Sequence, residues 1–163
     1  MVVAQRELHA SRTHIESEGQ TRHWERILKV AVHGDRMSSY RALDCFAKNE
    51  KYGLIKQAII SMKNDDSLNI AISILAEKKR YDLILEAART TENKKAINAV
   101  ASFFKSFSEE QTVRARMDGE IELLYGIAFF SKANGKIARE ALEEFHSTTS
   151  LADVLSNSKV LLE

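Results

Sequence analysis

The chain contains no proline and only six glycines in 163 residues. Sandwiches, barrels and extended linkers draw on both residues for their turns, so this shortage disfavours β architectures and leaves helices joined by short polar turns. Cysteine is scarce as well: Cys45 stands alone, cannot close an internal disulfide, and lies in an apolar stripe that suits a buried thiol. Nor is there an excess of either charge. The 24 Lys and Arg residues face 23 Asp and Glu, a formal net charge of +1, which provides no overall pull toward nucleic acid or an anionic membrane. No stretch reaches the ~18 consecutive apolar residues of a membrane span, and the opening MVVAQRELHASRTH meets Arg6 and Glu7 too early for a secretory apolar region. The expectation is an intracellular, cytoplasmic protein without a membrane partner.

What is present is repetition. RALDCFAKNEKYGLIKQAI, from Arg41, is followed by IAISILAEKKRYDLILEAA, from Ile70. At a constant offset of 29 residues, Ala42 falls on Ala71, Ala47 on Ala76, Tyr52 on Tyr81, Leu54 on Leu83, Ile55 on Ile84 and Ala58 on Ala87. WERILKVA fits the same frame at an offset of 28, with Trp24 at the Tyr52 and Tyr81 position. Self-similarity at a fixed period of about 20 to 50 residues marks arrays in which each unit buries its apolar face on its neighbours. A large ring at the start of each second helix fills the wedge between helices, and Ala47 and Ala76 allow close approach.

The remainder reads as short amphipathic helices separated by polar turns. Thr21 is a candidate cap for the helix carrying Trp24, Ile27 and Leu28, and Ser38 or Ser39 for the next; Ser108 to Gln111 spells a capping box. EEQTVRARM is weakly apolar and reads as a short helix, whereas IELLYGIAFF is apolar nearly all round and reads as central. Three segments are expected: residues 1–19 as a polar helix able to cap the array, 20–146 as a helical-hairpin repeat domain, and 147–163 as a C-terminal capping helix, with Thr149 or Ser150 at its start. The fold class predicted is all-α, stacked antiparallel helical hairpins, with about ten short helices and no strand.

From Trp24 to Phe145 the pattern resembles the α-solenoid repeat families of the tetratricopeptide and the clathrin or intraflagellar-transport type. Gly126 followed by Phe129 in YGIAFFSKANGKIAREALEEF is similar to the small-then-aromatic spacing of tetratricopeptide units, although the tandem period here is 29 residues where that pattern uses 34. The resemblance implies that the chain binds other proteins.

Chemistry finds little foothold. No GxGxxG, Walker-type, GxSxG or HExxH element occurs. His9, His14 and Glu18 share a helical face but lack metal-ligand clustering, and His23, His33 and His146 fit ligands no better. Cys45 sits mid-helix, where backbone amides are committed and no oxyanion donor is left. Lys94-Lys95 and Arg114-Arg116 stand beside carboxylates and read as solvated faces rather than a phosphate-binding stripe. No enzyme, cofactor, metal or nucleic acid is expected.

The function expected is a scaffold that takes a peptide or amphipathic helix of another protein in a groove formed by the first helices of successive hairpins. Of each Phe-Phe pair, one ring should face outward, because adjacent helical residues point about 100 degrees apart. The anchors nominated are Tyr40, Phe104 and Phe130, with Arg41 orienting the partner at the rim. Two alternatives stay open: a compact helical chaperone, immunity or anti-activator protein occluding a target, and a helical nucleic-acid-binding regulator. The first requires contacts between distant hairpins, the second steep salt-dependent binding.

Overall fold

The computed structural model describes residues 20–146. The helices expected over 1–19 and 147–163, with the candidate cap at Thr149 or Ser150, lie outside the described residues, as do His9, His14 and Glu18. The described chain is all-helical and contains no strand: α1 covers residues 20–33, followed by α2 (Arg36–Lys48), α3 (Tyr52–Ser61), α4 (Asp65–Glu77), α5 (Tyr81–Thr90), α6 (Lys94–Lys105), α7 (Glu109–Met117), α8 (Ile121–Phe130) and α9 (Gly135–His146). Thr21 lies within α1 and does not cap its start.

The 29-residue spacing governs backbone geometry as well as side chains. Asp35 and Asn64 occupy equivalent positions before α2 and α4, and each side chain accepts from the amide three residues on, Ser38 at 2.8 Å and Ser67 at 3.0 Å. Asn93, another 29 residues along, caps α6 by accepting from the Lys95 amide. The caps are therefore Asx residues, whose short side chains reach the free first-turn amides. Ser38 and Ser39, the caps expected for α2, are inside that helix; Ser39 is buried and donates to the Gly34 carbonyl.

Both first helices of the tandem pair end alike. Glu50 and Lys79 adopt φ of 55° and 53°, and the amides that follow close on the same carbonyls: Lys51 on Phe46 and Arg80 on Leu75, each at 2.8 Å. This is the Schellman closure, in which a left-handed residue reverses the chain and satisfies the last helical carbonyls. The same closure returns at Asp118-Gly119-Glu120, with Gly119 at φ 67° and Glu120 donating to Ala115 at 2.9 Å. The helices begun by these turns, α3, α5 and α8, all stop in an extended residue, Met62, Thr91 or Ser131.

Packing forms two rows. α2 packs on α4 and α4 on α6, while α3 packs on α5 and α5 on α8. The central positions of the first row, Phe46, Leu75 and Phe104, are all fully buried, each burial contributing roughly 1.5–3 kcal/mol. The aromatic position works as expected in kind: Trp24 lies 6.0 Å from the Phe46 ring, and Tyr81 stacks 6.5 Å from Phe103. A basic residue from the turn within the next hairpin covers each of the earlier rings, Lys51 over Trp24 at 5.7 Å and Arg80 over Tyr52 at 5.6 Å.

Hydrogen bonds lock consecutive units at the opposite edge. Asn93 donates to the Met62 carbonyl at 2.6 Å, Thr91 to the Ile60 carbonyl at 3.1 Å, and Asn134 to the Phe107 carbonyl at 2.7 Å. Buried carbonyls at helix ends need partners, and these side chains provide them from the next unit. Among the described residues no helix is long and apolar enough to cross a membrane.

Candidate interaction surface

The nominated residues do not form one groove. Tyr40 and Arg41 are exposed on the outer side of α2, with Tyr40 46% accessible. α2 packs against α3 and α4, whereas α8, which carries Phe130, packs against α5, α6, α7 and α9. Phe104 requires a correction: its side chain is 0% exposed. It occupies the α6 equivalent of Phe46, and Gly126 of α8 leaves room for the ring, since a Cβ there would lie 2.1 Å from Phe104 Cε1. Phe130 is half-buried and stacks on Phe104 with centroids 5.7 Å apart and planes 5° apart. It belongs to the same internal cluster.

Only the second pair turns a ring outward, and there the outward one is Phe129, not Phe130. Phe129 is 53% exposed and meets Phe130 edge-on at 4.7 Å. Phe103 is half-buried between Tyr81, Phe104 and Phe107. Other exposed apolar side chains are Val30, Met37, Val113 and Met117, the last at 81%. Met37 and Tyr40 lie one turn apart on α2, so they share a face.

The surface that the fold builds most regularly is the outer side of α2, α4 and α6. At 29-residue intervals the same positions are exposed: Tyr40, Asn69 and Asn98 form one line, and Ser73 and Ser102 continue it one turn on. Sequence reasoning missed this line because it followed apolar residues, although the offset that aligns Tyr52 with Tyr81 also aligns Asn69 with Asn98. Some charged side chains elsewhere are engaged in pairs, including Lys56–Glu86 at 2.7 Å and Lys79–Glu120 at 2.6 Å. Solvent screening keeps the contribution of such pairs small. The hydrogen bond from Lys79 to Glu120 raises the ammonium's pKa, and burial raises that of the Tyr81 hydroxyl.

The basic clusters are similarly occupied except at Lys94. Lys95 lies 3.4 Å from Asp65, Arg114 lies 3.5 Å from Glu110, and Arg116 binds Glu144. Cys45 is half-buried in α2 with Asn49 Nδ2 3.8 Å from its sulfur. His146 hydrogen-bonds the Tyr125 hydroxyl at 2.9 Å. Among the described residues no group of three or more His, Cys, Asp or Glu side chains is placed to hold a metal ion. Comparison with family models, with curated proteins and with solved structures finds no match.

Proposed function

We propose that the chain is a non-enzymatic protein-binding scaffold, an array of the α-solenoid kind whose first-helix row receives a segment of a partner protein. The observation that carries this reading is the register of α2, α4 and α6: three helices in one row expose equivalent positions at a single spacing. A row of this kind offers a long surface on which one short polypeptide meets several units at once. Tyr40 and Arg41 are the anchors retained, because both are accessible and an aromatic next to an arginine suits a binding hot spot. Phe129 replaces Phe130 as the exposed ring of α8.

The test is affinity purification from the source cells with wild-type chain and with Tyr40→Ala/Arg41→Glu. Circular dichroism and melting establish first that both fold equally. The expected result is a protein captured by the wild type and lost from the variant. Absence of any protein specifically captured by the wild type would refute the scaffold reading, and full retention by the variant would remove α2 from the surface.

A further inference from the structure

The described structure contains six asparagines. Asn49, Asn64, Asn93 and Asn134 all work within the fold, binding helix ends or neighbouring turns. Asn69 and Asn98 differ. Both are exposed in the middle of a helix, at the same position of successive units, and neither side chain forms a hydrogen bond among the described residues. Ser73 and Ser102, one turn further along, are likewise exposed and without a side-chain partner. Asparagine and serine are poor helix formers because their side chains compete for backbone groups, so a solvated helix face normally carries Lys, Glu or Gln instead.

On α4 and α6 the middle of the face is also free of charge. From Ser67 to Ala76 on α4 and from Ala96 to Phe104 on α6 no charged residue occurs, whereas the exposed positions of α5 and α9 include Asp82, Glu86, Arg139 and Glu140. Burying a neutral amide against a partner costs far less than burying a charge, provided that the amide finds its hydrogen bonds. Each asparagine offers donors and an acceptor together, the pair of functions that a peptide main chain also presents. A helical partner has already used those main-chain groups internally; an extended one has them free. Helices packed side by side lie about 8–10 Å apart, and an extended chain covers that distance in about three residues.

The flanks specify charge. Arg36 and Arg41 at the α2 end and Lys94 and Lys105 at the α6 end are exposed and form no salt bridge among the described residues. Asp44 and Asp65 are taken up by Lys48 and Lys95, which leaves Asp66 and Glu77 as the acidic groups within the three helices, while Asp35 caps α2 near Arg41 and Glu92 precedes α6. Unpaired basic groups thus stand on both outer helices, and the stretch of α4 between Asp66 and Glu77 is uncharged.

We propose that the outer face of α2, α4 and α6 binds an extended polypeptide segment with acidic flanks, Asn69 and Asn98 pairing with its main chain. This rests on the scaffold reading and narrows it. The test is selection of a random displayed library of short peptides on the full chain, followed by affinity measurement of the selected peptides. Enrichment in Asp and Glu is expected. Asn69→Ala/Asn98→Ala, which removes two poor helix formers and so keeps its fold, should weaken binding roughly tenfold or more, the loss of two or so hydrogen bonds. Methylating successive peptide amides should weaken it similarly, and Arg41→Glu should abolish the acidic preference. Gln57→Ala/Arg89→Ala, on the second-helix row, should change nothing.

The proposal is overturned if the library yields no binder, or if its binders are indifferent to Asn69→Ala/Asn98→Ala. A cellular partner that is still captured by that double variant would overturn the proposal while leaving the scaffold reading intact. Failure of the wild type to capture any partner would instead count against the scaffold reading.

Discussion

The tandem half of the molecule, α2 to α5, and the distal half, α6 to α9, start from the same plan and diverge at one place. In the tandem half the left-handed residues Glu50 and Lys79 are 29 positions apart; from Lys79 to Gly119 the distance is 40. The extra length is α7. By sequence spacing α7 starts where a second helix is due, one residue before the position that continues Tyr52 and Tyr81. Yet it ends in the closure that elsewhere ends a first helix, and the place beside α5 is taken by α8. The cause is local. Ser106 stops α6 by bonding the Phe103 carbonyl at 2.6 Å, and Ser108 with Gln111 immediately starts a new helix through a reciprocal capping box. A turn that caps on both sides has inserted a helix without disturbing the buried line Phe46, Leu75, Phe104.

The largest fully buried side chain of the distal half is Phe104, whose ring is seated on Gly126. Phe104→Ala is expected to have the largest effect, about 3–5 kcal/mol of destabilisation for a fully buried aromatic, or roughly 10 °C in melting temperature at this chain length. Hydrogen exchange should show α6 and α8 losing protection ahead of α2 and α3. Uniform loss across both halves would mean that the insertion has not decoupled them. An unchanged melting temperature would contradict the burial itself.

Next in size is a pair of glycines that the two halves use differently. A methyl group at Gly126 would collide with Phe104, whereas a Cβ at Gly53 of α3 meets nothing within 4 Å. Gly126→Ala should therefore cost about 1–3 kcal/mol as overpacking. Gly53→Ala should stabilise by about 0.5–1 kcal/mol through helix propensity. Opposite signs in thermal or denaturant unfolding are the expected result; equal signs would show that the ring at Phe104 relocates freely.

The turns sharpen the comparison further. Glu50 holds a left-handed conformation that costs a side-chain-bearing residue about 1–2 kcal/mol, and Gly119 fills the equivalent place with no such cost. Glu50→Gly recovers that strain less about 0.4–1 kcal/mol of added unfolded-state entropy, a net gain of about 0.5 kcal/mol. Gly119→Ala should lose a comparable amount. Denaturant midpoints of the two variants, moving in opposite directions, would check this.

How much of this was legible follows from which signals have a period. The helices, their polar turns, the 29-residue spacing, the Ser108 capping box and the buried character of residues 121–130 all follow from patterns along the chain. The inward choice between Phe103 and Phe104, or Phe129 and Phe130, does not: neighbours 100 degrees apart on a mostly apolar helix fit either orientation, and only the approach of Gly126 decides it. The caps were legible and misread. Serines at 38 and 39 drew notice as capping types, while the Asx residues that do the capping stand at 35, 64 and 93, one repeat apart. The Asn69 and Asn98 line was hidden in the same way, by attention to apolar residues alone.

The smallest effect separates two caps at one position. Asp35 and Asn64 hold the same geometry in consecutive units, but only Asp35 titrates. The Ser38 amide and hydroxyl donate to its carboxylate and hold its pKa below the usual 3.8. A depressed folded pKa means that the cap's contribution is complete above the unfolded value and is lost as pH falls through the folded one. In acid, below 3.8, the first turn of α2 should lose protection in hydrogen exchange while the Asn64-capped first turn of α4 keeps that part of its protection. Asp35→Asn, which copies the α4 cap, should remove the acid sensitivity of α2 and leave its protection near neutrality almost unchanged. If α2 frays equally in acid with asparagine at position 35, the carboxylate is not what holds that turn, and the likeness of the two caps ends at their geometry.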